Sequence, residues 1–224
     1  DITDRVVVDG SVYTSKPGKY EITYSVEDSY GNIAEAHRTV TVLTDSEDVY
    51  AMAEAGEKVV FLTFDDGPGP YTEELLDILD EYGVKATFFV TDQYPEYEDL
   101  IGRAYAEGHA IGVHTLTHDF SEIYQSGGTF WRDIEGMNDI VEEQTGKRTD
   151  FFRFAGGSSN TISIEYNNRD GIMERLISQA NQKNYDYFDW NVDSNDAGGA
   201  TTSEEVYENV ISGVEELDIS VVLM

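Results

Sequence analysis

The sequence predicts an α/β chain in which βα units surround a parallel sheet or barrel, preceded by a small all-β segment. Three observations lead there. From residue 58 onward, short apolar runs alternate with stretches of helical periodicity. Before residue 44 the pattern has period two and no helical stretch. Charge density also changes: residues 1–44 hold seven acids and four bases, net −3, leaving −28 of the total −31 for residues 45–224.

Taken in order, Tyr20 to Val26 alternates as a strand, with Pro17-Gly18 as the turn before it. Asp28-Ser29-Tyr30-Gly31-Asn32 reads as a hairpin turn, and Ala34 to Leu43 alternates again. Residues 1–43 thus form one segment, and 44–57, acidic with Ala and Gly, read as a linker. In 58–224, Val59 to Phe64 is a near-continuous apolar run, as a buried parallel strand requires. Thr72 is placed to cap a helix to about Tyr82, ended by Gly83. Further strands are expected at Ala86–Val90, Ala110–Val113, Phe151–Phe154, Tyr187–Val192 and Ile219–Met224. Helices are expected near 96–107, 130–144 and 174–183, and from a Ser203 cap to about Leu217.

Composition narrows the classes of function. A 224-residue chain with 40% hydrophobic residues can bury a core. No apolar run is long enough to span a membrane. With 45 acids against 14 bases there is no basic footprint for nucleic acid or anionic lipid. The absence of cysteine removes disulfides and thiolate metal sites. The chain opens inside a strand-like pattern and stops on one, so it reads as a piece of a longer protein, working as a monomer.

Four groups carry chemistry. In Thr63-Phe64-Asp65-Asp66-Gly67-Pro68 two carboxylates sit where a buried strand ends. Ionised acids are costly there unless they bind a cation or share hydrogen bonds; two acids in a surface turn is the competing reading. In His114-Thr115-Leu116-Thr117-His118, two of four histidines are spaced to face one way on a helical turn and grip one metal. Position 115 is not Glu, so the zincin pattern is absent, and two solvated histidines are an even competitor. In Phe151-Phe152-Arg153-Phe154-Ala155-Gly156-Gly157, an arginine among aromatics needs a carboxylate partner if buried, and Asp65 is the candidate. A snorkelling surface arginine is the plainer alternative. In the fourth group Trp190 is either core filler or a sugar-facing platform, and Asp196 alone is uninformative. Each group follows an expected strand, so a βα architecture would bring all four to one face.

On these motifs residues 58–224 resemble the polysaccharide deacetylase family, the NodB-type carbohydrate esterases. The first two motifs match fully. The other two match in part, with Ala155 where the family usually has Pro and Ala197 where it often has Trp. The resemblance implies a distorted (β/α) barrel that removes N- or O-acetyl groups from a glycan with a divalent metal. That metal is usually zinc, with cobalt, nickel or manganese as alternatives. It implies Asp66, His114 and His118 as metal ligands, Asp65 as general base, Arg153 orienting it and Trp190 lining the groove. Gly156 is the candidate backbone donor to the oxyanion. The family's fifth motif is Leu-x-His, whose His Asp196 would tune. Leu223-Met224 fills its first two positions, so this chain is expected to deacetylate poorly. Residues 1–43 resemble the last strands of a bacterial Ig-like surface module, through Gly18–Tyr24, Asp28–Asn32 and Arg38–Val42. That setting suggests an extracellular or cell-surface location, and peptidoglycan N-acetylglucosamine as substrate ahead of chitin oligomers or acetylxylan. A glycan-binding module without turnover is the alternative, and a spacer is the role expected of the Ig-like part.

Overall fold

A computed structural model describes residues 6–11, 18–27, 31–42, 52–167 and 171–224. The chain divides into two compact units, Asp1–Val59 and Val60–Met224.

The first unit is an antiparallel meander of β1 (Val7–Asp9), β2 (Gly18–Glu27) and β3 (Ile33–Val42). β2 and β3 pair without a break from Gly18 opposite Val42 to Glu27 opposite Ile33. The two alternating stretches are therefore strands. β1, which pairs Val7 with Ser25, was not expected, because three residues are too few to show a period. Pro17 and residues 28–30 of the expected turns lie outside the described residues. Residues 52–54 are helical, although the acidic composition there reads as linker.

The second unit holds β4 (Val59–Asp65), β5 (Thr87–Val90), β6 (Ala110–Val113), β7 (Phe151–Phe152), β8 (Asp186–Tyr187), β9 (Val192–Asp193) and β10 (Ile219–Leu223). They form one parallel sheet in the order β8-β7-β6-β5-β4-β10-β9, curled into a half-barrel. The helices are α1 (Thr72–Glu81), α2 (Asp99–Ala106), α3 (Phe120–Ile123), α4 (Gly127–Thr145), α5 (Ile162–Asn167), α6 (Ile172–Lys183) and α7 (Ser203–Glu216). Leu76, Ile101, Phe130, Ile134, Met137 and Leu176 of these helices are buried with Phe88, Val113 and Phe152 of the strands. Burying each such side chain contributes roughly 1.5–3 kcal/mol before entropy is counted.

Three local expectations are corrected. Thr72 does not cap α1; it is the helix's first residue, and its hydroxyl accepts the Gly69 N–H at 2.9 Å, bracing the preceding turn. Thr202, one residue before Ser203, caps α7 by accepting the Glu205 N–H. The strand expected over Tyr187–Val192 is two short strands at opposite edges of the sheet, β8 on β7 and β9 on β10. Residues 188–191 cross between those edges. The Phe188 N–H bonds to Phe152 O and the Asn191 N–H to Val221 O, both at 3.1 Å. A chain that changes sheet edge keeps its apolar pattern, so periodicity cannot reveal the crossing. Likewise β7 ends at Phe152, although the Arg153 N–H still reaches Val113 O at 2.9 Å.

Candidate active site at the carboxyl ends of the strands

Because β4, β6 and β7 run parallel, the residues that follow them emerge on one edge. Asp65 is the last residue of β4, His114 follows β6 and Arg153 follows β7.

The turn after β4 aims the two carboxylates differently. The Gly67 N–H bonds back to Asp65 O at 2.9 Å, making Asp66 the centre of a three-residue γ-turn at φ 64°. Positive φ is strained for a residue with a Cβ, though Asp tolerates it best after Asn and Gly. Thr91 holds the turn: its hydroxyl donates to Asp66 O at 2.9 Å and its N–H to Gly67 O at 2.7 Å. The Gly67–Pro68 peptide is cis. Asp65 thus stays inside while the Asp66 side chain is 53% exposed.

Arg153 is fully buried and nearly satisfied. Its Nη1 donates to Asp65 Oδ1 and to the Thr63 hydroxyl, each at 2.8 Å, and its Nε to Phe188 O at 2.9 Å. Nη2 reaches Asp189 O at 3.3 Å, and the Phe89 ring lies 4.2 Å from the guanidinium carbon. One side chain therefore ties β4 to the crossing segment and fixes one oxygen of Asp65. Burial raises the Asp65 pKa to about 6 against the opposing pull of Arg153.

The histidines do not sit on a helical turn. Residues 114–119 are irregular, and His118 has φ 51°. What brings the rings together is the loop itself, with Thr115 Oγ1 accepting the His118 N–H at 3.1 Å. His114 Nδ1 is 2.9 Å from Arg153 O. A carbonyl only accepts, so Nδ1 carries the proton and Nε2 presents its lone pair. Burial also pushes the His114 pKa down to about 4, keeping the ring neutral at pH 7. That lone pair lies 3.6 Å from Asp66 Oδ1, which in turn is 3.3 Å from His118 Nε2. With His118 Nε2 likewise unprotonated, acceptors this close are stabilised by a cation between them. Ligand atoms each about 2.0–2.1 Å from a tetrahedral ion lie about 3.3–3.4 Å apart. The donor set of Asp66, His114 and His118, all within 4.8 Å of one another, therefore fits a small divalent ion.

The remaining candidates lie around this centre. Ala155 and Gly156 occupy the middle of a turn closed by Gly157 N–H to Phe154 O at 2.8 Å, with Gly156 at φ 76°. This is type II geometry, which demands glycine at the third position and suits proline at the second. The Ala155 carbonyl accepts the buried Tyr124 hydroxyl at 2.7 Å. In a trans peptide the Gly156 N–H then points the opposite way. Gly156 faces Phe120, whose ring packs on His118. Trp190 lies edge-on to Gly157 and 5.5 Å from the Arg153 guanidinium, so much of it serves packing. Asp196 accepts the Ser194 hydroxyl at 2.5 Å and raises the Asp65 pKa through its charge.

Several supporting residues were not singled out from sequence: Thr63, Thr91, Thr115, Asp133 and Asp189. Asp189 accepts the Ser158 N–H at 2.8 Å and the Ser158 hydroxyl, stapling the Gly156 turn to the crossing segment. Only the adjacency of Asp189 to Trp190 hinted at it.

Comparison with known proteins bears on the family and the fold. The polysaccharide deacetylase family model matches residues 53–174, more than half of the chain, and the chain belongs to that family. A model of a bacterial surface protein Ig-like domain matches residues 1–42. A Bacillus cereus peptidoglycan-N-acetylglucosamine deacetylase is 37% identical over 140 residues, covering 62% of this chain and 47% of the relative. A chitin deacetylase of Pestalotiopsis sp is 34% identical over 147 residues, 63% of this chain and 47% of that one. The chain thus spans about half the length of these curated relatives. Among solved structures, the catalytic domain of peptidoglycan N-acetylglucosamine deacetylase from Eubacterium rectale superposes with TM-score 0.73 at 46% identity, covering 75% of this chain and 76% of that one. A Bacillus cereus polysaccharide deacetylase gives TM-score 0.64 at 31% identity, covering 75% and 79%.

Proposed function

We propose that this chain hydrolyses the acetamide of an N-acetylated glycan with the help of a divalent ion held by Asp66, His114 and His118. The observation that carries this reading is the pairing of a three-ligand cluster with a buried, arginine-held carboxylate on one sheet edge. When bound, a divalent ion supplies Lewis-acid polarisation of the acetyl carbonyl and acidifies water, to a pKa of about 7 for zinc. The chain's own groups supply the base and the positioning. Asp65 takes the proton of the attacking water. A carboxylate whose pKa is raised to about 6 is still largely ionised at pH 7 yet basic enough to accept it. Arg153 binds Asp65 Oδ1, leaving Oδ2, 3.9 Å from His114 Nε2, free for that task. The outward Gly156 N–H stabilises the oxyanion, and Trp190 contributes one wall of the groove. Asp196 supports a proton donor to the leaving amine.

Peptidoglycan N-acetylglucosamine is the substrate we favour, supported by the similarity to the Bacillus cereus and Eubacterium rectale deacetylases and by the surface-type Ig-like match. The same observations favour work at or outside the bacterial cell surface. Acetate release from peptidoglycan, chitin oligomers and acetylxylan, with and without chelator, tests the reading. Chelator-sensitive release, fastest on peptidoglycan, is expected. Release that ignores the chelator, or none from any substrate even when the protein is zinc-loaded, would overturn it.

A further inference from the structure

We infer that Asp133, on α4, is a positioning residue that sets His118 for metal binding. The inference rests on the reading of Asp66, His114 and His118 as a metal site.

Asp133 is 8% exposed, and its hydrogen bonds run to the loop between the two histidines. Oδ1 accepts the Leu116 N–H at 2.7 Å. Oδ2 accepts the Thr117 N–H at 3.2 Å and the Thr117 hydroxyl at 2.9 Å. No Lys or Arg forms an ion pair with it among the described residues. A buried carboxylate without a cation depends on N–H and O–H donors for its charge, and here three of them come from two adjacent residues, Leu116 and Thr117.

That loop needs a clamp. It leaves β6 after Val113, is tied by backbone hydrogen bonds at His114 (N–H to Val90 O, 2.9 Å) and Leu116 (O from Asp92 N–H, 3.1 Å), and ends with His118 at positive φ. A non-glycine residue there is strained and stays so only when its surroundings over-determine it. Asp133 fixes residues 116 and 117, Thr115 Oγ1 takes the His118 N–H, and the Phe120 ring packs against the imidazole. His118 Nε2 is then held 3.3 Å from Asp66 Oδ1, the separation that the ligand set requires. The helix itself does not need Asp133. Phe130, Ile134, Met137 and Val141 bury α4, and a Ser126 capping box starts it.

The test measures metal uptake, not turnover. Zinc affinity by chelator competition and the visible spectrum of the cobalt-loaded protein are compared for wild type, D133A, D133N, H118A and the double variant D133A/H118A. D133A should weaken zinc about 10- to 100-fold, the usual effect of losing a group that orients a ligand. It should also lower cobalt absorption toward that of H118A. D133N keeps the shape and one acceptor, so it should fall between, and it stands in if D133A does not fold. On the H118A background, D133A should change affinity by less than threefold, because its effect passes through His118. Full additivity of the two substitutions, or wild-type affinity and spectrum in both D133A and D133N, would overturn the inference. A wild type that takes up no ion would overturn the metal site itself, and the role of Asp133 with it.

Discussion

The two units differ in what they bury. In the parallel unit Arg153, His114 and Asp133 are buried, while in the three-stranded sheet Val7, Val8 and Ile33 are 62%, 56% and 64% exposed. Ile22 is the one buried side chain described in that sheet. The difference separates a sheet held by its backbone pairing from a unit set by apolar packing and polar pairing together. Burying Arg153 is tolerable because nearly every donor it carries is matched, and burying His114 because its ring is neutral with Nδ1–H matched to Arg153 O; those matches place the candidate ligands. The meander matches its backbone and little else.

From that contrast, substitutions in the two units should differ in kind. The largest effect is expected at Asp65. D65N should lower acetate release about 10²- to 10⁴-fold with zinc uptake retained, and a rate within threefold of wild type would remove Asp65 from the chemistry. Next, R153M should cost about 3–5 kcal/mol in urea denaturation, because it strands the Asp65 carboxylate and two carbonyls. An unchanged midpoint would mean that the polar network is not what holds this face together. A smaller, pH-dependent effect belongs to His109. Its Nδ1 accepts the Ala86 N–H at 3.1 Å, and burial holds its pKa below the ordinary 6.5, against the pull of Glu107 and Asp80 and with that of Lys85. The unfolded chain therefore takes up the proton first. Stability is full above about pH 6.5 and falls as the pH drops below it. Urea midpoints of wild type and H109Q should diverge less at pH 5 than at pH 8, and parallel profiles would count against this. The smallest effect is expected in the meander. I22A should cost at most about 2 kcal/mol, the low end for truncating a large aliphatic side chain, with acetate release unchanged.

Legibility in the sequence followed the range of the interaction. Strands β4, β5, β6 and β10 and helices α1, α4, α6 and α7 declare themselves through neighbours within one or two turns. The short α3 and α5 do not, since four and six residues carry too little pattern. The histidine pair drew attention for its spacing, but by a helical rationale that the structure replaces with an irregular loop. Asp133 was invisible for a related reason: in sequence it is one acid in an acidic helix. Its meaning lies in donors 16 and 17 residues away.

By itself the sequence determined the alternation of strand and helix, the boundary in charge and pattern near residue 44, and the residue types able to hold a cation or move a proton. Those are local properties of composition, period and side-chain chemistry. Tertiary structure alone decided that Asp65 turns inward to Arg153 while Asp66 turns outward to the histidines. It also decided that residues 188–191 cross from one edge of the sheet to the other, and that a helix carboxylate clamps the His118 loop. Each of these is a hydrogen bond or ion pair between segments far apart in the chain, and no period in the sequence encodes such a pairing.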